Sequence, residues 1–117
     1  MLFRSGAQVF KYAKGFTTGG FTYETSVPEN YSLKQNYPNP FNPVTTIEFS
    51  LPSSGIVSLK IYDIAGREYS TEISGMNLNV GNYKMNFNGS NLSSGVYFYS
   101  LVVNGKVINT KKMILVK

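Results

Sequence analysis

The sequence predicts an all-β domain: an Ig-like antiparallel β-sandwich of about seven strands. Three observations carry this. Short stretches alternate apolar and polar residues with period two, the repeat of a strand with one core face and one wet face. Turn signals rich in Gly, Asn and Ser separate them at intervals of roughly 8–12 residues. No stretch of ten residues carries the i, i+3, i+4, i+7 apolar pattern of an amphipathic helix.

Composition narrows the function before any element is placed. The 117 residues include no Cys, His or Trp. That removes disulfide frameworks, thiolate metal sites, imidazole bases and Cys or Ser–His nucleophilic chemistry. Aromatics make up 15% of the chain, which argues against disorder. The last aliphatic run, 113–116, is far short of the roughly 20 residues of a helical membrane span. Residues 1–16 are interrupted by Arg4, Lys11 and Lys14 and show no apolar core of a signal peptide. The chain is therefore expected to be either cytoplasmic or the end of a longer exported protein.

Two zones meet near residue 28. Residues 1–27 read as strand remnants, 7–12 and 15–25, with Gly19-Gly20 as a turn. They are too few to bury a core alone. They are assigned to an upstream passenger domain, or to pairing on the edge of the next one. Ser26-Val27-Pro28-Glu29-Asn30 reads as a linker, and 28–117 as the domain proper.

Within that domain the first strand is expected at 31–36. The next segment, Tyr37-Pro38-Asn39-Pro40-Phe41-Asn42-Pro43, cannot be a central strand, because three prolines remove three N–H donors. It is expected to be a stiff polyproline-like crossing with Tyr37 or Phe41 anchored in the core. Pro40-x-x-Pro43 is also the spacing of a groove-binding ligand, but a rigid lead-in explains it better. Strand 45–51 presents Ile47, Phe49 and Leu51 inward, and strand 55–63 presents Val57, Leu59 and Ile61. Asp63-Ile64-Ala65-Gly66 suits a type I turn into strand 67–73. A loop follows from Gly75 to Gly81. Strand 82–88 directs Tyr83, Met85 and Phe87 inward. Strand 95–103 is almost wholly apolar and is expected at the sheet centre, with Tyr97, Tyr99 and Leu101 inward and hydroxyl partners required for both tyrosines. Asn104-Gly105 is a strong type I′ hairpin signal leading to strand 106–116.

Chemistry-bearing constellations are sparse. Glu48, Asp63, Glu68 and Glu72 are expected at solvent-face or turn positions. Glu68 and Glu72 would lie about 13–14 Å apart on an extended strand, too far for a glycosidase pair. The Asn-rich stretches 77–82 and 86–91 hold no carboxylate for calcium and suit Asx turns. The charge pattern says more. The formal net charge is +5, and no acidic residue follows Glu72, whereas Lys84, Lys106, Lys111, Lys112 and Lys117 do. A nucleic-acid interface would want Arg forks and free aromatics, which are lacking. An edge strand guarded by lysines comes first, and a docking surface for an acidic receptor second.

Five segments in order carry a resemblance. They are 31–43 (YSLKQNYPNPFNP), 45–52 (TTIEFSLP), 61–68 (IYDIAGRE), 94–99 (SGVYFY) and 111–117 (KKMILVK). Together they resemble the type IX secretion system C-terminal sorting domain, type A, of Bacteroidetes-like bacteria, over about three quarters of the chain. The Ig-like domain of flagellar hook-capping proteins is the near neighbour. Tyr69, where a smaller aliphatic residue is common, and Asn88, where Asp is often seen, depart from the family pattern.

The resemblance implies a non-enzymatic signal that sends a passenger through the periplasm and an outer-membrane translocon to the cell surface or beyond. A surface peptidase would remove it within Thr25, Ser26, Val27, Pro28, Glu29 or Asn30. The family's basic C-terminal strand matches Lys111, Lys112 and Lys117, and the expected mode is strand-edge and lysine recognition of 106–117, with Lys106, Lys111, Lys112, Lys117, Gly95 and Tyr97 as candidate recognition residues and Pro38, Asn39, Pro40, Phe41, Asn42 and Pro43 as the lead-in motif. Neither cofactor nor metal is implied. The rival reading is an adhesive or carbohydrate-binding sandwich using Tyr62, Tyr69 and Phe98, or a structural spacer.

Overall fold

A computed structural model describes the backbone of residues 8–12, 15–18, 21–24 and 27–117, and side chains from residue 27 onward. These residues form ten strands: β1 (Gln8–Tyr12), β2 (Gly15–Thr18), β3 (Phe21–Glu24), β4 (Ser32–Leu33), β5 (Val44–Leu51), β6 (Gly55–Tyr62), β7 (Glu68–Leu78), β8 (Gly81–Asn88), β9 (Gly95–Val103) and β10 (Lys106–Leu115). β2 and β3 form a separate two-stranded ribbon. The rest form two antiparallel sheets, ordered β1-β8-β5-β4 and β10-β9-β6-β7. The seven strands from β4 onward are the predicted sandwich.

The period-two reading holds in β5, β6, β8 and β9. Ile47, Phe49 and Leu51 of β5 and Tyr83, Met85 and Phe87 of β8 are buried from one sheet. Val57, Leu59 and Ile61 of β6, Ile73 of β7, Tyr99, Leu101 and Val103 of β9, and Met113 and Leu115 of β10 meet them from the other. Phe49 and Tyr83 stack with ring centroids 5.3 Å apart. Burying each such side chain contributes about 1.5–3 kcal/mol, so the two inner faces hold the sheets together.

Both expected turns form. Asn104 and Gly105 have φ of 52° and 81°, the left-handed pair of a type I′ turn, and β9 and β10 are antiparallel neighbours. Between β6 and β7 the Gly66 N–H donates to the Asp63 carbonyl, and Asp63 Oδ1 accepts the N–H groups of Ala65 and Arg67. This arrangement holds the Asp63 carboxyl below its ordinary pKa, chiefly through the Arg67 backbone bond.

Four expectations need correction. The first strand is only Ser32–Leu33, because Asn36 turns inward and its Nδ2 donates to the Pro38 carbonyl and to Thr45 Oγ1. The predicted strand 67–73 instead continues to Leu78. Gly75, at φ 59°, makes a bulge rather than a loop, and its N–H donates to Ser58 Oγ. The proline segment is no straight crossing. It bends on both sides of Phe41, and the bonds before Pro38, Pro40 and Pro43 are cis. Of the two anchor candidates, Phe41 is buried, at 2% exposure, while Tyr37 is 81% exposed because its backbone faces Thr46 and its ring points outward.

Candidate recognition surface

The basic C-terminal hairpin and the proline segment meet in one structure. β10 is an edge strand, paired on one side with β9 from Lys106–Val103 to Leu115–Gly95. On its other side the proline segment covers the C-terminal half. The Phe41 N–H donates to the Ile114 carbonyl, and the Val116 N–H donates to the Phe41 carbonyl. Asn39 Oδ1 accepts the Ile114 N–H at 2.9 Å, and Gln35 Nε2 donates to the Lys112 carbonyl. Phe41 drives the contact: its ring packs edge-on against Phe87, centroids 6.1 Å apart. Thr45 Oγ1 donates to the Pro38 carbonyl and the Gly89 N–H to the Pro43 carbonyl, fixing both ends of the bend.

The four lysines do not share one face. Lys106 is exposed beside the turn, ahead of a register shift between Val107 and Asn109. Lys111 is half-buried opposite Tyr99, on the core-facing parity of Met113 and Leu115, whereas Lys112 is exposed opposite Phe98. Lys117 is tied down, its N–H donating to Ser94 Oγ and its Nζ to the Ser90 carbonyl. Among the described residues none of the four pairs with a carboxylate. The ion pairs lie elsewhere, at Lys34–Glu48, Lys60–Glu68 and Arg67–Asp63. Three of them, Lys106, Lys111 and Lys112, thus stand on a strand about 30 Å long at 3.4 Å per residue, without a carboxylate partner.

Gly95 opens β9 opposite Leu115 with φ of 156°. Tyr97 is half-buried against the core, and its hydroxyl donates to the Ser93 carbonyl. Tyr99, fully buried, donates to the Lys34 carbonyl at 2.6 Å. Burial pushes its hydroxyl pKa up to about 12, against a smaller lowering by the Asn36 backbone. Both tyrosines have the partners their inward placement demanded. The turn is fastened to the neighbouring hairpin, since the Asn104 N–H donates to the Ile56 carbonyl and Asn104 Oδ1 accepts the Ile56 N–H.

Of the linker residues, Thr25 and Ser26 lie outside the described residues. Val27 is 60% exposed, Pro28 is half-buried, Glu29 and Asn30 are exposed, and 27–30 joins no strand.

The carboxylates divide. Glu68 is exposed and Asp63 caps its turn, but Glu72 is only 3% exposed, against expectation. Ser70 Oγ donates to Glu72 Oε2, and the side chain lines a cleft of about 170 Å³ with Tyr69, Phe87, Asn88 and Leu92. The bulged register of β7 breaks the simple parity that predicts solvent exposure for Glu72. Tyr62 and Phe98 are cross-strand neighbours, both half-buried, while Tyr69 lines the cleft, so the three do not make one aromatic platform. In the Asn-rich loop, Asn88 Oδ1 accepts the Ser90 N–H, an Asx turn.

What the sequence did not reveal is the cover on β10. Gln35 and Asn39 reach partners more than seventy residues away, and only the run of three prolines hinted that this segment is fixed in place. No curated protein matches the chain. A family model described as a secretion system C-terminal sorting domain matches residues 35–117, the proline segment and the last strand both included.

Proposed function

The chain belongs to the secretion system C-terminal sorting domain family, and from that premise we propose that its β9–β10 hairpin and proline segment form one composite surface read by the outer-membrane type IX translocon. Membership itself carries the coarser statements. The domain is a type IX sorting signal placed C-terminal to a passenger, and the protein is exported through the periplasm to the cell surface or the extracellular space. The finer reading assigns contact to Lys106, Lys111 and Lys112, with Gly95 and Tyr97 shaping the hairpin and Pro38 to Pro43 fixing its outer edge. The role is that of a non-catalytic address. A surface peptidase then cuts within 25–30, where Val27 to Asn30 are free of strand pairing.

One observation carries the reading: three lysine amines without a carboxylate partner stand on a strand whose backbone is already occupied along its C-terminal half. Main-chain strand addition is therefore confined to about residues 107–111, where the Thr110 N–H already donates to Asn109 Oδ1, and the rest of the surface offers side chains. An acidic partner surface fits it, since complementary charge fixes register and speeds encounter.

The test replaces Lys106, Lys111, Lys112 and Lys117 together by Gln in a reporter fused upstream of the domain and carrying an export leader, expressed in a type IX-competent bacterium. The expected result is a folded domain, by circular dichroism of the purified protein, with the reporter retained inside the cell. Undiminished surface display of the folded quadruple variant would overturn the reading.

A further inference from the structure

An open sheet ends in edges that can pair with other chains, and folded proteins protect such edges. This sandwich protects three by recognisable means. β7 pairs with β6 through three register shifts, which break the regularity of its ladder. β10 carries lysines and lies under the proline segment. β4 is two residues long. β8 has none of these devices. It runs Gly81–Asn88, pairs with β5 in unbroken register, contains no proline and bears a single charge, Lys84. Its second side is filled by β1, antiparallel, from Gln8–Asn86 to Tyr12–Asn82 without a shift.

We propose that the β8 edge is a strand-acceptor site, and that its occupant is the extended segment on the passenger side of the linker, Gln8–Tyr12. The recognition is main-chain pairing. β8 lies between two strands, so alternate residues of Asn82–Asn86 point their N–H and C=O groups at β5 and at β1. Domain and upstream segment are thus joined twice: covalently through 25–30, and by a five-residue ladder. A cut in the linker does not by itself part them. When the upstream segment leaves, Asn82–Asn86 becomes a bare, regular edge able to accept another extended strand. The statement about cutting rests on the proposed sorting role; the strand pairing does not.

The experiment uses the full chain. Amide hydrogen exchange is followed by NMR in the parent and in a Val9→Pro/Lys11→Pro variant, since proline removes the donor and cannot continue a ladder. The amides of Asn82–Asn86 that face β1 should exchange about tenfold faster or more in the variant, while Leu101 and Met113 keep their protection. Equal exchange in the two chains overturns the proposal. In a second arm a site-specific protease sequence replaces 27–30 and the chain is cut. The two pieces of the parent should co-elute on gel filtration, and those of the proline variant should separate. Separation of the parent pieces on cutting overturns the second joint. Both readouts are taken on purified protein, so a failed export experiment leaves them standing, and their failure leaves the export reading standing.

Discussion

Tyr99 shows how one side chain links the core to pH. Its ring is fully buried, and its hydroxyl bonds the Lys34 carbonyl. Burial favours the neutral form, so the folded pKa, about 12, lies above the ordinary 10.0. A group raised in the folded state stabilises fully below its unfolded pKa, and that contribution is lost as pH rises through the folded value. Stability should therefore hold to about pH 10 and decline between 10 and 12. Urea unfolding across that window should show a shallower decline for Tyr99→Phe. A residual slope should remain from Tyr83, whose hydroxyl burial also raises. At neutral pH Tyr99→Phe should cost about 1–3 kcal/mol, because the Lys34 carbonyl loses its partner. Simple cavities behave differently. Leu101→Ala should cost about 2–5 kcal/mol and Phe41→Ala about 3–5 kcal/mol, both read as a lower urea midpoint. Phe41→Ala should in addition loosen the cover on β10, visible as faster amide exchange at Val116, which donates to the Phe41 carbonyl.

At the scale of elements, the proline segment behaves as a clamp on the last strand, and Asn39 is its most separable part. Asn39→Ala leaves the prolines and Phe41 in place but removes the acceptor of the Ile114 N–H. The expected loss is about 1 kcal/mol, with faster exchange at Ile114 and little change in β5 or β8. A uniform loss of protection across both sheets would show that the clamp and core unfold as one unit. Which elements were legible follows from the range of the forces that make them. The inward triplets of β5, β6 and β8 obey period two because each strand lies between a core and an outer face. Asn104-Gly105 is legible because two left-handed residues in succession leave few other choices. Gly75 misled because a left-handed glycine serves a bulge as well as a loop, and Ser58 on the neighbouring strand decides between them. Glu72 departs from its expected exposure for the same reason, since three register shifts between β6 and β7 cannot be read from alternation. The prolines announced a fixed segment but not what it touches: Gln35, Asn39 and Phe41 find their partners in the strand farthest from them in sequence.

At the scale of the whole molecule, the sorting reading makes the end of the chain both a packing element and a recognition element, and the two roles must be separated to be tested. Deleting 111–117 removes Met113 and Leu115 from the core, along with the backbone that Phe41 pairs with. Such a truncation should lose both export and fold, and so says little about recognition. A folded body attached after Lys117 removes nothing. The last residue sits on the surface, held by Ser90 and Ser94, and Val116 beside it is half exposed. The core should tolerate the fusion, with a melting temperature within a few degrees of the parent, since a surface change typically costs within about 0.5 kcal/mol. The appended body would nevertheless crowd the face that Lys112 and the proline segment present. A reporter placed upstream of the domain should therefore reach the cell surface, while the same reporter joined to Lys117 should remain inside with the domain folded. Equal display from both positions would mean that the lysine hairpin is not the part being read, because a spacer or adhesive module works wherever it is placed and an end-on address does not.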